Sequence, residues 1–86
     1  LPEDDLKILL VALAETVRQF REKGRPQSSQ EALGLEIGMD RSYWGALERG
    51  EHQPRIFTLW RLARALKVTP DQLVRAIDRN YKLKAH

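Results

Sequence analysis

An all-α single domain, a compact bundle of about five helices, is the fold class this sequence predicts. Three observations carry it. Apolar residues recur at helical spacing in successive segments. Each segment is bracketed by residues that start or stop helices. No stretch alternates apolar and polar as a half-buried strand does, and there is no internal repeat or low-complexity tract.

The first helix is expected from about Pro2 to Lys23. Pro2 suits a first helical position, and Glu3, Asp4 and Asp5 suit the positive end of the helix dipole. Leu6, Leu9, Leu10, Leu13, Val17 and Phe20 form one apolar stripe, while Ile8 and Val11 lie off it and need a second cover. Gly24-Arg25-Pro26-Gln27-Ser28 is a breaker cluster and reads as a loop. Ser28 or Ser29 can cap a second helix, which carries Ala32, Leu33 and Ile37 inward. Gly38 ends it, at a turn that calls for positive φ.

Asp40 is a suitable cap for a third helix, Arg41 to about Arg49. Trp44 and Leu47 face the core, which places Arg41, Ser42, Gly45, Ala46 and Arg49 on the outer side and Tyr43 at the edge. Gly50 stops the helix. A fourth helix follows over about Ile56–Lys67, with Leu59, Leu62, Ala63 and Leu66 as its stripe. Thr69-Pro70-Asp71-Gln72 combines a capping Thr, Pro at the first position and Gln at the third. The fifth helix is therefore expected from about Pro70 to Asn80, burying Leu73, Val74 and Ile77. Residues 1–5 and 81–86 are expected to fray.

The chain has 86 residues, 42% hydrophobic, which suits one small domain with a thin stability margin. It lacks cysteine, so disulfides and thiolate metal sites are excluded. No apolar run approaches the roughly 20 residues of a membrane span, and the acidic start is unlike a signal peptide. A cytoplasmic address is the expectation, and the missing initiator Met points to a processed or trimmed chain. His52 and His86 have no ligand-type residues at metal spacing, so neither a metal nor a cofactor is expected. Nor is an enzyme: the chain shows no Gly-rich phosphate loop and no Ser/His/acid set. Net charge is only +3, but residues 1–40 carry −3 and residues 41–86 carry +6. Such asymmetry hints at an anionic partner, but charge alone leaves that reading about even with the plainer one of a solvated basic face.

The stretch from Ser29 to Arg55 gives that asymmetry a use. Two short helices joined at Gly38, with arginines on the second and at its exit, have the layout of a helix-turn-helix, which presents one helix to the DNA major groove. Residues from about Val17 to Leu73, through the runs SQEALGLEIGMDRSYWGALERG and PRIFTLWRLARALKVTPDQL, resemble the phage-repressor class of helix-turn-helix domains, the lambda and 434 repressor and Cro-like family. The resemblance implies a five-helix bundle that binds double-stranded operator DNA, usually as a homodimer. It also implies roles. Gln30 lies beside the DNA backbone and braces Arg41. Arg41, Ser42 and Ala46 face base edges, with Gly45 and Tyr43 alongside near sugar or backbone. Arg49 and Arg55 lie near phosphates. Arg21 and Glu48 form a partly buried structural ion pair. The chain departs from the family pattern in a longer loop before Ser29, in Trp44 and Ala46, and in Phe57, which becomes a candidate for an interface.

Elementary chemistry agrees with several of these roles. An Arg fork can bond O6 and N7 of guanine together, worth about 1–3 kcal/mol of discrimination. Arg49, Arg55 and Arg61 would add salt-dependent phosphate affinity without sequence information. Gly45 costs the helix about 1 kcal/mol relative to Ala, which close approach of the backbone to DNA would offset. Trp44 and Trp60, at apolar phases, are expected in the core rather than as stacking platforms. The expected function is a transcriptional regulator, most simply a repressor acting by steric exclusion, with room for a contact to RNA polymerase. The alternative is a protein-interaction module on the same fold, of antitoxin or bridging-coactivator type, with Ile8, Val11 and Phe57 as its surface.

Overall fold

The structure, a computed structural model, describes residues 3–23, 38 and 41–85. They form four helices, not five: α1 (Glu3–Lys23), α2 (Arg41–Glu48), α3 (Ile56–Ala65) and α4 (Pro70–Ala85). Apart from Gly38, the expected second helix lies outside the described residues, and so do Gln30 and the capping residues Ser28, Ser29 and Asp40. The chain is all-α over the residues described.

The centre of the molecule is where the stripes meet. Leu13 and Val17 of α1, Trp44 and Leu47 of α2, Leu62, Ala63 and Leu66 around α3, and Leu73 and Ile77 of α4 form one buried cluster. Leu9, Leu10, Phe20 and Leu59 pack on its margin. The main seam of the core is between α1 and α4, the most extensive pairing, and α2 also packs on α1. That seam is polar at one level. Thr16, fully buried, donates to the Ala12 carbonyl at 2.7 Å and accepts from the Asn80 amide at 2.7 Å. Asn80 also reaches Gln19, and Lys84 reaches Glu15 at 2.6 Å. These partners explain why α4 does not stop at Asn80. Residues 81–85, expected to fray, remain helical, with Lys82 and Lys84 at the end where cations suit the dipole.

Apart from the C-terminus of α4, the ends of the helices follow their sequence signals with one exception. Thr69 and Gln72 form the reciprocal capping box: the Thr69 amide donates to Gln72 Oε1 at 2.9 Å, and the Gln72 amide to Thr69 Oγ1 at 3.4 Å. The Thr69 hydroxyl also bonds the Asp71 carboxyl and holds its pKa below the usual value. Gly38 and Gly50 both have φ of +72°, as turn and stop residues should. After α2, the Gly50 amide donates to the Leu47 carbonyl and the Glu51 amide to the Ala46 carbonyl, at 3.1 and 3.0 Å. This is the Schellman pattern, which satisfies carbonyls that the helix end would leave bare.

The exception is α3, expected to continue to Lys67 but ending at Ala65. It closes with the same two bonds, Lys67 amide to Arg64 carbonyl and Val68 amide to Ala63 carbonyl. Here the left-handed position is held by Lys67, at φ 63°. A side chain costs about 1–2 kcal/mol in that conformation, partly balanced by the greater unfolded freedom of glycine. Lys67→Gly is therefore expected to stabilise the fold by about 0.5–1 kcal/mol, raising Tm by about 2–8 °C. A lower Tm in a thermal melt would contradict this account of the α3 terminus.

Two expected core residues are outside the core. Trp60 is 53% exposed and Val74 49% exposed, beside Ile56 at 72% and Phe57 at 71%. Trp60 sits one residue past Leu59, and one residue turns a helix by about 100°. The inward stripe of α3 therefore leaves Ile56, Phe57 and Trp60 together on another face. Val11, off the α1 stripe, is also exposed, and a Cβ added at Gly50 would lie 3.6 Å from its side chain.

Candidate nucleic-acid interface

α2 is held by one face and open on the other. Trp44 and Leu47 are fully buried, and Glu48 is 7% exposed. Glu48 is anchored by Arg21 and Trp44. Arg21 gives it a fork, Nε to Oε2 at 2.6 Å and Nη2 to Oε1 at 2.9 Å. The Trp44 indole N–H adds a bond to Oε2 at 2.6 Å. The hydrogen bond to Glu48 is the main reason that the Arg21 guanidinium holds its proton more tightly than usual, with burial opposing it. The pair expected from the sequence is therefore present, and it fastens the last turn of α2 to α1. The indole bond was not anticipated, although Trp44 and Glu48 are four apart, the spacing of helical neighbours.

On the open face, Arg41 and Ser42 are exposed in the first turn of α2. Ala46 is half-buried. Arg49 and Arg55, at the exit, are exposed. Arg55 occupies the cap position of α3 with extended backbone (φ −75°, ψ 163°), and its side chain makes no cap bond. Gly45 departs from the outward placement expected of it: it is buried.

Tyr43 is half-buried and ties the exit loop down. Its ring meets His52 edge-on, centroids 4.6 Å apart. Burial raises its phenol pKa, with a hydrogen bond to Thr58 partly offsetting the effect. The ring thus packs on a neighbour. Arg61 is not spread toward solvent either. Its guanidinium carbon lies 5.7 Å from the Phe57 ring centre, and a Cβ added at Gly38 would come within 2.9 Å of its Nη2. Two residues unforeseen from the sequence complete the exit: His52, and Glu51, which grips Arg49 through Nε–Oε2 at 3.0 Å and Nη2–Oε1 at 3.2 Å. Residues two apart do not face each other on a helix, so no helical-spacing rule signals that pair.

Among the described residues no group of three His, Asp or Glu is placed to hold a metal, and no helix is long and apolar enough to cross a membrane. What the open face offers is cationic forks and a hydroxyl on a fixed helix, a chemistry suited to phosphate oxygens and base edges.

Comparison with known proteins agrees with that geometry. Residues 12–76 match a family described as helix-turn-helix domain. A curated relative, the uncharacterised HTH-type transcriptional regulator y4dJ of Sinorhizobium fredii, is 41% identical over 61 residues, 71% of this chain and 75% of its own. The restriction-modification controller protein C.AhdI from Aeromonas hydrophila superposes with a TM-score of 0.68 at 36% identity, over 74% of this chain and 90% of its own. The hypothetical transcription factor NHTF from Neisseria gives 0.68 at 35% identity, over 76% and 72%. The clp gene regulator ClgR from Corynebacterium glutamicum gives 0.80 over 90% and 80%; at 22% identity that likeness shows the fold alone.

Proposed function

The chain belongs to the helix-turn-helix domain family, and from that premise we propose that it is a sequence-specific regulator of transcription. In this reading it resembles the lambda and Cro-like regulators in mode as well as fold. A homodimer occupies an inverted-repeat operator in duplex DNA and represses by excluding other proteins. The observation that carries the reading is the division of α2. One face is fixed by Trp44, Leu47 and the Arg21–Glu48 pair, and the other displays Arg41 and Ser42, with Arg49 and Arg55 at the exit. A rigid helix with an exposed polar start is what base readout needs, because hydrogen bonds discriminate only when their donors are held in place. Gln30 completes the site in this reading, from outside the described residues.

Selection from a random duplex library at moderate salt tests it. An enriched inverted repeat with half-sites about one helical turn apart is the expected result. Binding to that duplex should weaken steeply with salt, by about 0.9 in logarithmic slope for each phosphate engaged. A library that emerges unenriched, with binding indifferent to salt, would remove the reading.

The homodimer part of the proposal is supported by the face formed by Ile56, Phe57, Trp60 and Val74, too apolar to favour permanent exposure. A two-fold partner presents the same face and covers it in kind. Trp60→Glu is expected to leave the protein monomeric by sedimentation and still folded, since the side chain is half in solvent already. Affinity for the two-half-site duplex should then fall by about 100-fold or more, while single half-site affinity holds, because the linked second contact is lost. A dimer that survives Trp60→Glu and Phe57→Glu would place the interface elsewhere. The same face is the observation that favours the second reading, a protein-interaction module. That reading would show itself as association insensitive to salt and no duplex binding.

A further inference from the structure

Arg49 and Glu51 stand on either side of Gly50, one and three residues past the end of α2. The Schellman turn fixes both backbones: Gly50 has φ +72°, and the Glu51 amide is bonded to the Ala46 carbonyl at 3.0 Å. Across that turn the Glu51 carboxylate takes both prongs of the Arg49 fork, at 3.0 and 3.2 Å. The two side chains are 60% and 57% exposed, so water competes with the pair and it contributes little to the fold. A bidentate carboxylate nonetheless occupies the same fork that a phosphate would.

We propose that Glu51 is a built-in competitor for the DNA backbone, holding Arg49 in the free protein and yielding it to a phosphate only on close docking. The proposal rests on the DNA-binding reading above and adds a residue to it. Its physical content is an exchange. In solution Arg49 is neutralised by Glu51. On a duplex the phosphate must displace a carboxylate of like charge, and that carboxylate then stands near the DNA with its partner gone. Both effects lower affinity for any duplex, because phosphate contacts carry no sequence information. Glu51 therefore limits how long the protein dwells on random DNA, while base contacts from the start of α2 are untouched.

Equilibrium binding of the whole chain to the enriched duplex and to a random-sequence duplex, at one salt concentration, tests this with four proteins: wild type, Glu51→Gln, Arg49→Ala and the double variant. Glu51→Gln is expected to bind both duplexes about three- to fivefold more tightly, the range an exposed ion pair can hold back. In the Arg49→Ala background the same substitution should give clearly less. Melting temperatures should change little across the set. Weaker binding by Glu51→Gln would mean that Glu51 aims Arg49 at its phosphate, and would overturn the proposal. An equal gain with and without Arg49 would reduce the effect to bulk charge, and would overturn it too. Both outcomes leave the DNA-binding reading standing. Failure of all four proteins to bind any duplex overturns that reading and this one together.

Discussion

Arg21→Ala is expected to lower the stability of the fold by about 3–5 kcal/mol, the usual loss when one partner of a buried ion pair is removed. Glu48 is 7% exposed and takes two hydrogen bonds from Arg21. The Trp44 indole also donates to that carboxylate, but it carries no charge to balance it. Small domains hold only about 5–15 kcal/mol in total, and a chain of 86 residues is near the lower end. The variant should thus be close to unfolded at physiological temperature. Arg21→Lys should recover part of the loss, because an ammonium supplies charge but not the planar fork. Replacing both partners by apolar residues is a poorer remedy here than in most buried pairs, since it strands the Trp44 N–H, and a buried orphan donor costs about 1–3 kcal/mol. Urea denaturation followed by circular dichroism gives the answer. A loss under about 1 kcal/mol would mean that water reaches Glu48 and the pair is no anchor.

The same pair shows what the sequence could and could not reveal. Arg21 and Glu48 are 27 apart, and only the family resemblance joined them; nothing in periodicity pairs two charges across that distance. The stripe of α1, the capping box at Thr69 and Gln72 and the glycines at 38 and 50 were readable because each is a local signal with a local cause. Long-range polar contacts have no such signal, so the Thr16–Asn80 bond was invisible and α4 was expected to end five residues early. Lys67 was equally silent: a lysine in a left-handed turn has no compositional mark.

Trp60 and Val74 were misplaced for a different reason. Hydrophobic spacing says that a face is to be covered, but not whether the cover is this chain or another molecule. Gly45 was misplaced because the outer side of a short helix was inferred from Trp44 and Leu47 alone, and in eight residues a buried sector wide enough to include both neighbours is common. At the candidate interface, then, the exposure of Arg41, Ser42, Arg49 and Arg55 was legible, and the contacts of His52 with Tyr43 and of Glu51 with Arg49 were not.

Arg41→Ala carries the largest expected effect on recognition. On the proposed reading its guanidinium bonds one guanine at two edges, so the variant should lose about 1–3 kcal/mol of discrimination at a single position in each half-site. In a dimer the loss is felt twice on an inverted repeat. Folding is not at stake: Arg41 is exposed at the first residue of α2, and Ala is at least as good a helix former. That separates this substitution from Arg21→Ala, where any loss of binding would follow from loss of the fold. The decisive comparison is between duplexes. If Arg41 reads a base, the enriched site loses affinity and random duplexes barely change, and repeated selection returns a site degenerate at one defined position. If Arg41 merely touches a phosphate, all duplexes lose alike and the salt dependence becomes shallower by about 0.9 in logarithmic slope. Arg41→Lys sharpens the test, because a lysine at the same place can still neutralise a phosphate but cannot present a planar fork to guanine.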